Sequence, residues 1–395
     1  MYDVIVVGAR CAGAPTAMLL ARAGHRVLLL ERATFPRDTL STHYIHQPGV
    51  ARLARWGLLD AVAASGCPPL RETVYEVGDV RLVGSSAAVD GHEEAYAPRR
   101  HVLDAILAEG AAASGVEVRH GCTVTGLLRD GSDRVCGVRF RGERGREFEE
   151  RAALVVGADG MRSAVARLAG AETVVSDPLL TCVYYTYWGD VPSVFELYEA
   201  PGRWVGAAPT NDGATCVAAY FPQSEFDAVR ADVEGAYLEN IRRTAPSMYE
   251  RLRSGRRLER MYGTGDQQNF FRRAYGPGWA LVGDAGHHKD SITARGITDA
   301  FLQAELIVSR LEGVDPADRT AVDAALRGYG EDRDRELAEI YEATLIVARL
   351  NVQPERLAML RAVASDPGDV ERYFSTVAGA CTIRDLYTPD LLARL

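Results

Sequence analysis

The chain has 395 residues, 47% of them hydrophobic and 25% charged, the composition of a folded globular protein and not of a disordered tail or a fibre. Its 45 basic and 54 acidic side chains leave a net charge of −9, which excludes a global positive field for nucleic acid. Length alone predicts two or three domains. Seven cysteines with no C-x-x-C pair are read as scattered reduced thiols and not as a disulfide frame or a zinc site. No basic leader precedes Val4, and no uncharged apolar run reaches about 18 residues, so a cytoplasmic protein without a membrane span is expected.

Val4–Val7 is a short β-branched run of the kind that forms a buried parallel strand. A glycine turn at Gly8 leads into a helix expected from about Ala12 to Ala23, and Arg26–Leu30 is a second strand ending in Glu31. A helix is expected over residues 50–65, strands within 71–98, a helix over 100–113, and strands at 116–118 and 124–128. Val135–Phe140 and the charged stretch 141–151 predict a hairpin with a solvated tip. Residues 179–267 are strand-rich and aromatic, with a helix near 225–253. Gly278–Gly283 restores a strand, a helix runs from about Gly296 to Leu311, and the last 70 residues have helical spacing. The expected fold is α/β: a Rossmann-like domain (1–70, 99–178, 268–330), interrupted by a β-rich substrate domain (71–98, 179–267), with a helical C-terminal segment (331–395).

Strand, glycine turn, helix, strand and acid within about 30 residues make up the βαβ dinucleotide-binding unit. Gly8 permits the tight turn, and Gly13 lets the helix pack closely on the strand. Main-chain N–H groups from Ala9 to Gly13 then face a pyrophosphate, helped by the helix dipole. Glu31 stands where an adenosine ribose would donate to it, and its charge would repel a 2′-phosphate, so the dinucleotide held here is not expected to be NADP. Arg10 occupies the place of the middle glycine. Two further strands end in Asp159-Gly160 and Gly283-Asp284, whose carboxylates suit a ribityl chain. The helix start at Gly296 and Ile297 can stabilise negative charge on a reduced ring.

These segments, in this order, resemble the FAD-dependent enzymes of the para-hydroxybenzoate hydroxylase superfamily, which includes aromatic hydroxylases, flavin-dependent halogenases and geranylgeranyl reductases. Arg100-His-Val-Leu-Asp104 resembles the superfamily's helix whose leading arginine reaches the FAD pyrophosphate. The resemblance implies an FAD site built from Gly8, Ala9, Arg10, Cys11, Ala12, Gly13, Glu31, Arg32, Arg100, Val124, Asp159, Gly283, Asp284, Gly296 and Ile297. It also implies NAD(P)H as a transient reductant, or a separate flavin reductase, because the chain has only one such βαβ unit. Asp290-Ser-Ile-Thr-Ala-Arg-Gly296 departs from the hydroxylase form of the flavin loop and is closer to the reductase and halogenase form.

Three functions follow as expectations. In the favoured one, a small aromatic or polycyclic substrate is hydroxylated by molecular oxygen through a flavin hydroperoxide, and the protein has only to hold the ring and exclude water. Tyr185, Tyr187, Trp204 and Pro209 are the candidate substrate wall; Tyr185 and Tyr187 share one strand face, opposite Tyr184 and Trp188. The alternative is reduction of a carbon–carbon double bond, which needs a proton donor, and His46 and His43 are the candidates. The third is a flavin-binding protein without turnover, in which Cys11 senses oxidation through a lowered pKa at a helix N-terminus. Lys289, the only lysine, lies in the flavin loop, and Trp204-Val-Gly-Ala-Ala-Pro209 lacks the second tryptophan of the halogenase motif, so halogenation is not expected. No metal site is expected.

Overall fold

The computed structural model describes residues 1–41, 43–142 and 145–395. The two apolar runs near the N-terminus pair in parallel, Val4 opposite Val27 and Val7 opposite Leu30. The carboxyl half of Glu147–Gly157 lies parallel on the other side of the first strand, Val4 opposite Leu154. The sheet continues in the order Tyr275–Gly276, Trp279–Leu281, Glu147–Gly157, Tyr2–Val7, Val27–Leu30, Glu117–Arg119. Such a sheet has to be covered on both faces. On one face the helices Gly13–Arg22, Arg100–Ala113 and Gly296–Leu311 bury Met18, Leu20, Leu103, Leu107 and Phe301 against Val4, Val6 and Leu29. The strands at Val7, Gly157 and Leu281 all end on the same carboxyl edge, which is where a doubly wound sheet binds its ligands.

The second sheet combines Thr73–Val77 and Val80–Gly84 with the strands of the aromatic region. Phe195–Ala200 joins them by pairing in parallel with Thr73–Val77. Alternation along Thr181–Gly189 sends Tyr184 and Trp188 to one face, against the helices Val233–Thr244 and Pro246–Ser254. Tyr185 and Tyr187 go to the other face, with Tyr75, Trp204 and Tyr220. That second face is covered by the C-terminal helices Pro354–Ala364 and Pro367–Ala378.

Three helical stretches differ from expectation. Residues 50–65 form two helices, Gln47–Arg55 and Leu59–Ala64, because Gly57 turns the chain at φ +75°. The stretch 225–253 is three short helices, with Pro246 opening the last. A single helix, Arg319–Ala348, runs across position 331, where the sequence divides the segments. The expected hairpin pairs Val135–Arg141 with Glu147–Gly157, and Glu143 and Arg144 at its tip lie outside the described residues. Among the described residues, no helix is long and apolar enough to cross a membrane.

Candidate active site

A cleft of about 430 Å3 opens along the carboxyl edge of the parallel sheet. The turn at its centre tolerates only glycine at two positions. Gly8 sits at φ +99°, and a Cβ there would stand 2.5 Å from the Ala158 carbonyl oxygen; a Cβ at Gly13 would stand 1.7 Å from the Gly8 carbonyl oxygen. Glu31 is buried, and its two carboxylate oxygens accept from the Ala9 and Ala33 N–H groups at 2.8 Å, which fixes the turn against the end of the second strand.

The departure at Arg10 has a structural reason. Its guanidinium turns away from the turn and donates to Asp104 at 2.7 Å. Asp104 is fully buried in the helix Arg100–Ala113 and also accepts from Arg100 at 2.9 Å and from the Cys11 thiol at 3.5 Å. One carboxylate thus ties the glycine turn to the neighbouring helix. Burial pushes the Cys11 thiol up to about 12, so the lowered pKa expected of a sensing cysteine is not found; desolvation outweighs the helix terminus.

The remaining expected cofactor residues separate into those that line the cleft and those behind it. Arg10, Cys11, Ala12, Glu31, Arg32, Arg100, Val124, Asp159, Asp284, Gly296 and Ile297 line it together with Gly8. Ala9, Gly13 and Gly283 lie behind; Gly283, at φ +59°, lets the chain pass Ala12, whose Cβ a side chain would meet at 2.6 Å. Asp284 is exposed to the cleft. Asp159 instead accepts from the Ser163 hydroxyl and from the Ala164 and Val165 N–H groups, capping the helix that follows. The helices Gly13–Arg22 and Gly296–Leu311 both start at the cleft with no side-chain cap, which turns two positive helix ends toward a polyanion or an electron-rich ring. A glycine cradle that any Cβ would fill, an acid at the ribose end and two uncapped helix N-termini fit FAD. Among the described residues, no group of three or more His, Cys, Asp or Glu is arranged to hold a metal ion.

The loop between Gly283 and Gly296 is held from behind. Asp290 accepts from the Thr181 hydroxyl at 2.7 Å and from the Ile292 N–H at 3.1 Å, and its own N–H donates to Asn269. Burial raises the Asp290 carboxyl to about 6. Lys289 is buried in an ion pair with Asp299, which also accepts from Arg295 at 2.8 Å. These two cations hold the Asp299 carboxyl well below the carboxylate range, although burial opposes them.

A second, apolar cavity of about 60 Å3 lies on the other side of this loop. Ile292 and Thr293 of the loop form part of its wall, and Tyr44 borders both this cavity and the cofactor cleft. Tyr44 stacks on Phe195 with ring centroids 3.8 Å apart, and Tyr75 stacks on Tyr373 at 6.1 Å. Of the expected substrate wall, Trp204 lines this cavity, whereas Tyr185, Tyr187 and Pro209 line neither. Tyr185 and Tyr187 face Ser41 and His43: the Ser41 N–H donates to the Tyr185 hydroxyl at 3.3 Å, and the Tyr187 hydroxyl pairs with His43 Nε2. The Arg99 guanidinium, paired with Asp38 and Glu259, covers the Tyr187 ring at 3.8 Å.

The two candidate proton donors part company. His43 is buried against Tyr187 and lines neither cavity, while His46 lines the apolar one, with Nε2 3.2 Å from the Thr293 carbonyl oxygen. Burial pushes both imidazoles down to about 3. Sequence reasoning placed the aromatic strand that begins at Phe195 in the pocket wall, but missed Tyr44, Tyr75, Arg356, Tyr373 and Phe374, which line the cavity from distant parts of the chain. No local pattern marks them.

Comparison with known proteins agrees with this geometry. The FAD binding domain family matches residues 1–343. A digeranylgeranylglycerophospholipid reductase of Methanosarcina acetivorans is 30% identical, over 76% of this chain and 72% of its own. The structure of the myxobacterial chondrochloren halogenase CndH, described as a variant of FAD-dependent halogenases, superposes with a TM-score of 0.79 at 25% identity, covering 100% of this chain and 95% of that one. PqsL, a probable FAD-dependent monooxygenase from Pseudomonas aeruginosa, shares the fold at 23% identity, with a TM-score of 0.70 over 95% of this chain and 99% of its own. The chain therefore belongs to the FAD binding domain family, the para-hydroxybenzoate-hydroxylase type of flavoprotein.

Proposed function

We propose that this FAD-dependent oxidoreductase is a monooxygenase that hydroxylates a small aromatic or polycyclic molecule, with NAD(P)H as a transient reductant. One observation carries the reading: an aromatic-walled cavity adjoins the flavin loop at Ile292 and Thr293 and shares Tyr44 with the cofactor cleft. Bound FAD, once reduced, supplies the electrons that activate molecular oxygen. The chain's own residues do the rest. Glu31, Arg100 and the two uncapped helix N-termini hold and orient the cofactor, and the Asp290 and Asp299 networks keep the loop in place. The rings of Tyr44, Phe195 and Trp204 hold the substrate against the loop and keep water out.

The second reading, reduction of a carbon–carbon double bond, is supported by the reductase name of the Methanosarcina relative. It requires an acid beside the double bond. His46, the candidate at the cavity, is kept neutral by burial, which weighs toward the monooxygenase. The test is anaerobic photoreduction of the flavin-loaded protein, followed by rapid mixing with aerated buffer. The monooxygenase reading expects an absorbing transient between the reduced and oxidised spectra, lengthened by an aromatic ligand. A one-step return to the oxidised spectrum, with and without ligands, would favour the reductase.

A further inference from the structure

The apolar cavity contains one feature that packing alone does not require. Glu199 points inward from the strand Phe195–Ala200 with its side chain 1% exposed, and Arg356 meets it at 2.7 Å from the helix Pro354–Ala364, 16% exposed. The Tyr75 hydroxyl joins them, donating to Glu199 and accepting from Arg356 at 2.7 Å. Burying an ion pair costs several kcal/mol per ion in desolvation and seldom adds net stability over an apolar pair. Arg356 and Tyr75 line the cavity. The pair therefore brings charge to a pocket whose other lining residues, among them Tyr44, Phe195, Trp204 and Phe374 and the polar His46 and Gln47, include no acid and no other arginine or lysine.

The charge balance selects what this polarity can recognise. A guanidinium has five N–H donors, and those not spent on Glu199, Tyr75 and Tyr373 remain to be offered to an acceptor. The adjacent Glu199 carboxylate cancels the positive charge, so a second carboxylate brought into the same desolvated pocket would meet repulsion with no net attraction. A carbonyl or phenolic oxygen meets no such repulsion. The six aromatic rings around the cavity, Tyr44, Tyr75, Phe195, Trp204, Tyr373 and Phe374, suit a flat apolar body. Two of these rings, Tyr373 and Phe374, belong with Arg356 to the C-terminal helices, beyond residue 343 where the family match ends. At about 60 Å3 the cavity is smaller than the roughly 150 Å3 that holds a benzene, so this wall has to yield as a ring enters.

We infer that Arg356 is a specificity-determining residue whose ligand is an uncharged planar aromatic bearing an acceptor oxygen, and that Glu199 excludes carboxylates. The inference rests on the monooxygenase reading only in taking the cavity as the substrate site. Its test is equilibrium binding, which is independent of oxygen chemistry. Acetophenone and benzoate, a neutral and an anionic ring of similar shape, are titrated into the FAD-loaded protein, followed by calorimetry and by perturbation of the flavin spectrum. The wild type is expected to prefer acetophenone by about tenfold or more, and Glu199→Gln to move that ratio toward benzoate by a similar factor. Breaking a buried pair can unfold a protein, so the double variant Glu199→Gln/Arg356→Met, which leaves no buried charge, serves as the folded control. It is expected to retain FAD and to lose the added affinity for acetophenone. Equal binding of the two probes by the wild type, an unchanged ratio in Glu199→Gln, or no binding of either probe at millimolar concentration would each overturn the inference. None of these results bears on whether reduced protein forms a transient with oxygen.

Discussion

At Gly13, helix and strand approach so closely that a methyl group has no room: its carbon would stand 1.7 Å from one backbone oxygen and 3.0 Å from the Ala158 Cβ. Neither neighbour is the flexible end of a side chain, so relief must come from the turn itself, which is the part of the cleft that faces a pyrophosphate. Gly13→Ala is therefore expected to purify without its yellow chromophore and with about 1–3 kcal/mol less stability. The ratio of visible to ultraviolet absorbance and a urea titration check this, and wild-type flavin content would refute it. Asp104 is the opposite case, a residue whose value lies in what it accepts. Truncating it strands two arginines around a buried hole, and Asp104→Ala is expected to cost about 3–5 kcal/mol in a urea unfolding titration. Asp104→Asn, which keeps an acceptor, should cost less.

At the scale of elements, the parallel strands and their helices were legible because their causes are local. A β-branched run, a turn that needs glycine and a helix of small residues follow one another within the first 30 residues, and backbone sterics decide each in turn. Residues 100–113 were legible for the same reason, and the structure has a helix over Arg100–Ala113. The alternation that separates Tyr184 and Trp188 from Tyr185 and Tyr187 could also be read from the sequence. What each face meets could not. The face bearing Tyr185 and Tyr187 also bears residues that pack on the C-terminal helices, and these two tyrosines pair with Ser41 and His43. The flavin loop illustrates the same limit: Asp290 stands within a readable motif, but its partners Thr181 and Asn269 are supplied by the fold.

Across the whole molecule, three buried imidazoles set the response to acid. Burial pushes His43 and His46 down to about 3 and His287 well below its ordinary value. An unfolded chain protonates these rings below about pH 6.5, whereas the folded chain protonates His43 and His46 only at roughly pH 3 and His287 only well below its ordinary value. Stability is therefore complete above about pH 6.5 and falls as pH drops, by about 1.4 kcal/mol per pH unit for each ring. Asp290 acts in the opposite sense, since its folded carboxyl, raised to about 6 from 3.8, takes up a proton before the unfolded one and offsets part of the loss between those values. The urea midpoint is expected to fall steadily from about pH 7 to about pH 4.5, and His287→Gln should flatten that slope. A level profile across this range would contradict the burial of these rings.

The amino-acid sequence by itself determined the parallel sheet, the glycine turn with Glu31 and the edge along which the cofactor cleft opens, because each depends on residues close together in the chain. Only the tertiary structure decided the second cavity. Its wall is drawn from residues 44–47, 73–86, 195–204, 292–293 and 347–378, and no periodicity within any one of these stretches requires them to meet. It likewise decided that His46 borders this cavity while His43, three residues before it, is turned to Tyr187. Local sterics select strand, turn and helix; which side chains then share a pocket depends on how distant elements bury their apolar faces against one another.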